Sequence, residues 1–219
     1  MRNLRRPAQY RGSPNIYTLN AHERLWRVHS RRYQADQFNP VPSDQRVGGG
    51  RFDGTQENPY PHYYAGGEQT TALAEIFLRD PLRFNEFGYR VLPFRAIRDR
   101  RISAVETLRA LTLVSLRTGP DLAAAAVSAW LVHGGSRYEA SRAIAHWLRD
   151  HSPRADGLIW TSTIDLGKPA IVLFEDRCGP GVIRELPNHA RDLDDDTGIG
   201  WLNEALAPYH TQVRTPRRR

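Results

Sequence analysis

Apolar positions along this chain change period several times, and the changes mark its elements. Short runs with period two, or apolar throughout, predict strands over residues 25–28 (LWRV), 62–65, 89–94, 102–108, 111–116, 157–161, 170–174 and 182–186. Helical spacing predicts helices over 70–79, 121–131, 138–149 and around 201–206. In the first of these Leu73, Ile76 and Phe77 form the expected buried stripe and Pro81 the stop. Glu75 falls beside that stripe, on the side of the small Ala72. The helix over 138–149 turns Ile144, Trp147 and Leu148 inward, and Gly134-Gly135 separates it from its predecessor. Residues before the strand at 25 read as an irregular arm. Strands stand before and after central helices without regular βαβ alternation, which predicts a single α+β domain.

Between the strands at 25–28 and 62–65 lies a long stretch rich in Gly, Pro, Asn, Asp and Gln. Connections of that length inside a domain are either functional or disordered. This one carries GGGRFDG over 48–54. Glycines permit close backbone approach to a ligand, and an arginine gives paired contacts to phosphate. The run lacks the G-x-G-x-x-G spacing and precedes a strand where the dinucleotide fingerprint follows one, so a doubly wound nucleotide fold is not indicated. Gly49, Gly50 and Arg51 are therefore candidates for holding an anionic ligand. Arg27 lies on a strand opposite in direction to Trp26, and Tyr63 and Tyr64 alternate faces, so one of the two can enter a cleft. Each has an ordinary reading as well: a surface arginine, a turn glycine, a solvated glutamate at Glu75, a turn serine at Ser162.

Composition narrows the classes. Hydrophobic residues make up 40% and charged residues 25%, as in a globular protein with a real core. The lone Cys178 excludes an internal disulfide and thiolate metal clusters, and the histidines show no metal-ligand spacing, so no metal is expected. There is no signal-peptide core at the N-terminus and no apolar run long enough to span a bilayer, so a cytoplasmic protein without membrane contact is expected. The net charge of +7 invites a nucleic-acid reading. Yet all but Lys168 of the 31 basic residues are arginine, scattered among acids except at the two ends. That pattern fits a codon bias with solvated basic termini better than a binding stripe.

Taken in order, the motifs resemble the RES domain family, named for an arginine, a glutamate and a serine. The matching pieces are LWRV at 25–28, GGRFDG at 49–54, YYAGGEQTTALAE at 63–75, ISAVETLRALTLVSL at 102–116, RYEASRAIAHWL at 137–148 and DGLIWTSTIDLGKPAIVLFED at 156–176. The resemblance spans 22–176 and leaves outside it a basic arm over 1–21 and an extension with a basic tail over 177–219. It implies an ADP-ribosyltransferase-like fold, with a mixed, mainly antiparallel split sheet flanked by helices. It implies NAD as substrate, consumed by hydrolysis or by phosphorolysis with inorganic phosphate as co-substrate, in a toxin neutralised by an Xre-type helix-turn-helix antitoxin. DNA would be met only through that antitoxin, and a homo-oligomer is left open.

By the same resemblance Glu75, Arg27, Tyr64 and Ser162 carry catalysis, and Arg27, Gly49, Gly50, Arg51 and Tyr64 hold NAD. Ser141 and Arg142 occupy another position where members place small polar groups near the cleft. The sequence departs from the family at Trp160-Thr161-Ser162-Thr163, where members often carry a tyrosine, a proline and then Ser-Ala-Arg. Two other readings stand beside this one: an ADP-ribosyltransferase acting on a protein or nucleic acid, and a nucleotide-binding module without chemistry.

Overall fold

The computed structural model describes residues 13–44, 49–79, 82–129, 132 and 138–214. The strands are β1 (Ile16–Leu19), β2 (Arg24–Ser30), β3 (His62–Gly66), β4 (Arg83–Phe84), β5 (Arg90–Pro93), β6 (Arg100–Thr107), β7 (Leu111–Leu116), β8 (Gly157–Thr161), β9 (Pro169–Phe174), β10 (Ile183–Asp192) and β11 (Thr211–Arg214). The helices are α1 (Gln69–Phe77), α2 (Phe94–Ile97), α3 (Gly119–Ala124), α4 (Glu139–His151), α5 (Glu175–Cys178) and α6 (Asp196–Leu206). Eight strands form one sheet in the order β1-β7-β8-β9-β3-β2-β6-β10, and β11-β5-β4 form a small second one. Among the described residues, β7 and β8 are the one parallel pair of the large sheet. This is a mixed α+β domain built on a mainly antiparallel sheet.

Apolar alternation on the central strands explains the layering. Leu158 and Trp160 of β8 join Val172 and Phe174 of β9 in a core under α4 (Trp147, Leu148), while Ile159, Ile171 and Leu173 enter a second core on the opposite face. Both faces are covered, so these strands read as continuous apolar runs. A third core packs Val28 of β2 and Ile102 of β6 against Leu73 and Phe77 of α1 and Leu202 and Leu206 of α6. The first and third cores lie over different halves of the sheet. Between the halves β2 and β3 share a single pairing, Trp26 with Gly66.

The sequence misses β1, which lies in the expected irregular arm. Four residues pairing with β7, with Leu19 buried and Ile16 exposed, are too few to show a period. The stretch beyond Cys178, expected as an extension, joins the large sheet through β10, which pairs with β6 across a bulge between Glu185 and Ala190. The helix expected over 121–131 begins earlier and closes sooner. Thr118 and Asp121 form a reciprocal cap at the start of α3, and Ala126 takes a positive φ of 52° just past its end. Pro81, the Gly134-Gly135 break, the basic arm over 1–12 and the tail over 215–219 lie outside the described residues.

Candidate functional site

Where β2 and β3 part, a cleft of 520 Å³ opens, walled by β2, β3, α1 and the glycine loop. From α1 come Ala72, Glu75 and Ile76, and from just past its C-cap comes Arg79. The helical positions, spaced three and four apart, lie on one face of a helix. Glu75 thus shares the Ala72 side, as the sequence suggests. Ile76, expected in the buried stripe, is instead 40% exposed and faces the cleft, and its place in the core is taken by Ala74 and Thr71. The Glu75 carboxylate is half-buried and has no hydrogen bond or ion pair among the described residues.

The opposite wall is organised by Asp53. This carboxylate, 2% exposed, accepts hydrogen bonds from the Gly50 amide and the Tyr64 hydroxyl and lies 3.2 Å from His62 Nε2. The Tyr64 oxygen also accepts from the Phe52 amide at 2.7 Å. Burial, then the charge of Asp53, holds the Tyr64 phenol well above its ordinary pKa. With its hydroxyl committed and protonated, Tyr64 offers the cleft a ring, set edge-on to Trp160 and His62.

The loop needs its glycines for this packing. A Cβ on Gly50 would lie 2.5 Å from the Tyr64 hydroxyl, and Gly49 has a φ of +68°. Both line the cleft.

Three arginines stand on the wall: Arg27, Arg79 and Arg100. Arg27 stacks 4.3 Å over the buried Tyr63 ring and donates to the Ala35 and Gln37 carbonyls, so much of its guanidinium fastens the long loop. Arg79 donates to the carbonyls of Glu75 and Gly49 and to the Tyr138 hydroxyl. Arg51 is not on the wall. It is 8% exposed, its Nε has no partner among the described residues, and its guanidinium lies 5.5 Å from the Tyr138 ring, which Arg79 and Arg142 also flank. Arg142 is buried and donates to the Gly50 carbonyl, and Ser141 is buried beside it on α4. The structure therefore gathers Glu75, Arg27, Tyr64, Gly49 and Gly50 at one cleft, with Arg51 one layer behind Tyr138.

Ser162 is absent from the cleft wall. It is 1% exposed, and its Oγ accepts from the amides of Ile164 and Asp165. Asp165 in turn accepts from the hydroxyls of Thr70 and Thr71 in the first turn of α1, where a carboxylate also suits the helix dipole. Ser162 is thus joined, through this turn, to the helix bearing Glu75. Asp53, His62, Arg79 and Arg100 are cleft residues that the sequence does not single out. The D of GRFDG, three positions after Gly50, is the only local signal for any of them.

Two buried histidines make the fold acid-sensitive. Burial is the largest influence on His29 and on His62, and it lowers the pKa of both. Below the unfolded value, about 6.5, the unfolded chain binds protons that the folded state refuses, so stability falls as pH drops. Urea midpoints measured between pH 8 and pH 5 are expected to decline below about pH 6.5. A midpoint that holds steady to pH 5 contradicts this.

No helix among the described residues is long and apolar enough to cross a membrane. A model of the RES domain family matches residues 24–196. Among solved structures, a chain of the M. tuberculosis MbcT–MbcA toxin–antitoxin complex is similar, with a TM-score of 0.54 at 16% identity over 80% of this chain and 86% of that one. At that identity the similarity speaks for the fold. No curated protein matches.

Proposed function

The chain belongs to the RES domain family, and on that premise we propose that its cleft binds NAD and cleaves the bond between nicotinamide and ribose. The observation that carries this reading is the half-buried Glu75 carboxylate, which makes no hydrogen bond or ion pair among the described residues, senses the charge of Arg79, and faces a cleft lined by arginines and aromatic rings. When that bond breaks, its electron pair leaves with the nicotinamide nitrogen and positive charge develops on the ribose. A fixed carboxylate stabilises that charge, or holds the ribose hydroxyls, without reorganising. The rings of Trp26, Tyr64 and Trp160 supply stacking surfaces. Arg27 and Arg79 at the wall, with Arg51 behind Tyr138, supply positive potential for the pyrophosphate. The acceptor is water, giving ADP-ribose and a proton, or inorganic phosphate, giving ADP-ribose 1″-phosphate.

Such an enzyme depletes a central cofactor, which fits a cytoplasmic toxin held in check by an antitoxin. The family membership and the fold shared with a toxin–antitoxin complex support that setting. An Xre-type helix-turn-helix antitoxin is the partner we propose, closing the cleft and carrying any contact with DNA.

Incubation with NAD, with and without phosphate, tests the reaction. Free nicotinamide together with ADP-ribose or its 1″-phosphate is the expected result and identifies the acceptor. Label transferred to a macromolecule makes the protein a transferase instead, and NAD binding without turnover makes it a binding module.

A further inference from the structure

Arg100 is the cleft arginine with nothing to do. Of the three on the wall, Arg27 is bound to loop carbonyls and a ring, and Arg79 to two carbonyls and a phenol. Arg100 has no side-chain hydrogen bond and no ion pair among the described residues. Its placement is set by the sheet. It opens β6 and stands opposite Ser30 of β2, while Ile102 stands opposite Val28. Directly opposed residues share a face, and so do residues two apart on a strand, so Arg100 lies on the face of Trp26 and Val28. Both of those residues line the cleft. A half-buried guanidinium stands beside apolar side chains in a cleft whose wall holds three arginines against two carboxylates, Asp53 bonded to its own loop and Glu75 beside Arg79, which leaves Arg100 as the positive charge without a counter-ion among the described residues.

We infer that Arg100 is an anion-binding residue of the cleft and takes a phosphate oxyanion. The ligand chemistry has two sources under the NAD reading on which this inference rests: the pyrophosphate of the dinucleotide, or the free phosphate that accepts the ribose. Either would meet the paired N–H donors of a guanidinium.

The test titrates wild type, Arg100→Ala and Arg100→Gln with ADP, inorganic phosphate and adenosine, following cleft tryptophan fluorescence or heat, with circular dichroism to check folding. The Gln variant keeps the side-chain stem should the Ala variant fold poorly. Loss of charge is expected to weaken ADP or inorganic phosphate about tenfold or more, and to leave adenosine unchanged. Weaker ADP with an unaltered phosphate dependence of nicotinamide release assigns the dinucleotide pyrophosphate. The reverse pattern assigns the acceptor. Equal affinities of folded variant and wild type for both anions overturn the inference, as does a wild type that binds neither. If anion binding depends on Arg100 but wild type releases no nicotinamide, the NAD reading fails and the anion site stands. If NAD is consumed and the Arg100 variants match wild type throughout, the site fails and the NAD reading stands.

Discussion

Glu75→Gln is expected to lower nicotinamide release by about 10²–10³-fold or more, the range seen when one preorganised electrostatic group is removed from an active site. The same variant is expected to keep its unfolding midpoint and its NAD affinity within a few-fold. Both parts follow from the surroundings of the side chain. The carboxylate makes no hydrogen bond or ion pair among the described residues, so the substitution breaks no bond of the fold and removes only its attraction for Arg79. Glutamine has the same shape, so the side chain fills the same space. Only the negative charge is lost. That charge matters most when positive charge appears on the ribose, which places the effect in the chemical step and not in binding. Nicotinamide release at saturating NAD, set beside a binding titration and a urea curve, separates the three quantities. Wild-type turnover by Glu75→Gln removes the carboxylate from the reaction. A matching loss in affinity moves its role to ground-state binding.

The prominence of Glu75 was legible because it depends on local geometry. Helical spacing sets Glu75 on the side of the small Ala72, and a helix flanked by a small residue leaves room above its carboxylate. Strand alternation likewise separated Tyr63, buried under Arg27, from Tyr64 on the cleft wall. What the sequence could not show depends on which distant strands become neighbours. Arg100 reaches the cleft because β6 pairs with β2, and β1 exists because β7 has an open edge for it. Ser162 shows the same dependence on distant elements. The resemblance implies chemistry for it and its place after a buried strand a turn, and in the structure its hydroxyl accepts from a turn whose Asp165 is bonded to Thr70 and Thr71 of the helix bearing Glu75. The glycine loop was legible as a special backbone, but its glycines make room for Tyr64 and Asp53 at least as much as for a ligand.

Asp53→Ala is expected to cost about 1–3 kcal/mol of stability for each of the two buried donors it leaves without an acceptor, the Gly50 amide and the Tyr64 hydroxyl. Two donors converge on this carboxylate, the Gly50 amide and the Tyr64 hydroxyl, and His62 Nε2 lies 3.2 Å away, also within reach of Asn39 Nδ2. With Asp53 2% exposed and His62 3% exposed, water has little access to replace the lost acceptor, so its donors keep their desolvation cost without their bonds. The consequence extends to function. Gly50 and Tyr64 are both cleft residues, and a loop that no longer holds its amide against Asp53 is free to shift the ring by the width of a missing bond. NAD affinity should therefore fall along with stability in Asp53→Ala. Asp53→Asn retains one carbonyl oxygen as acceptor and should lose less of both, about 1–3 kcal/mol in stability. Urea denaturation of the two variants, paired with NAD titration at a pH where His62 is neutral, reads the ranking directly. An alanine variant within about 1 kcal/mol of wild type would mean that the loop is held by its own backbone and that the carboxylate is incidental to it. Retained stability with lost affinity would leave Asp53 a role in the cleft alone. The expected result joins the two, because one buried carboxylate fixes both the conformation of the glycine loop and the orientation of the ring it faces.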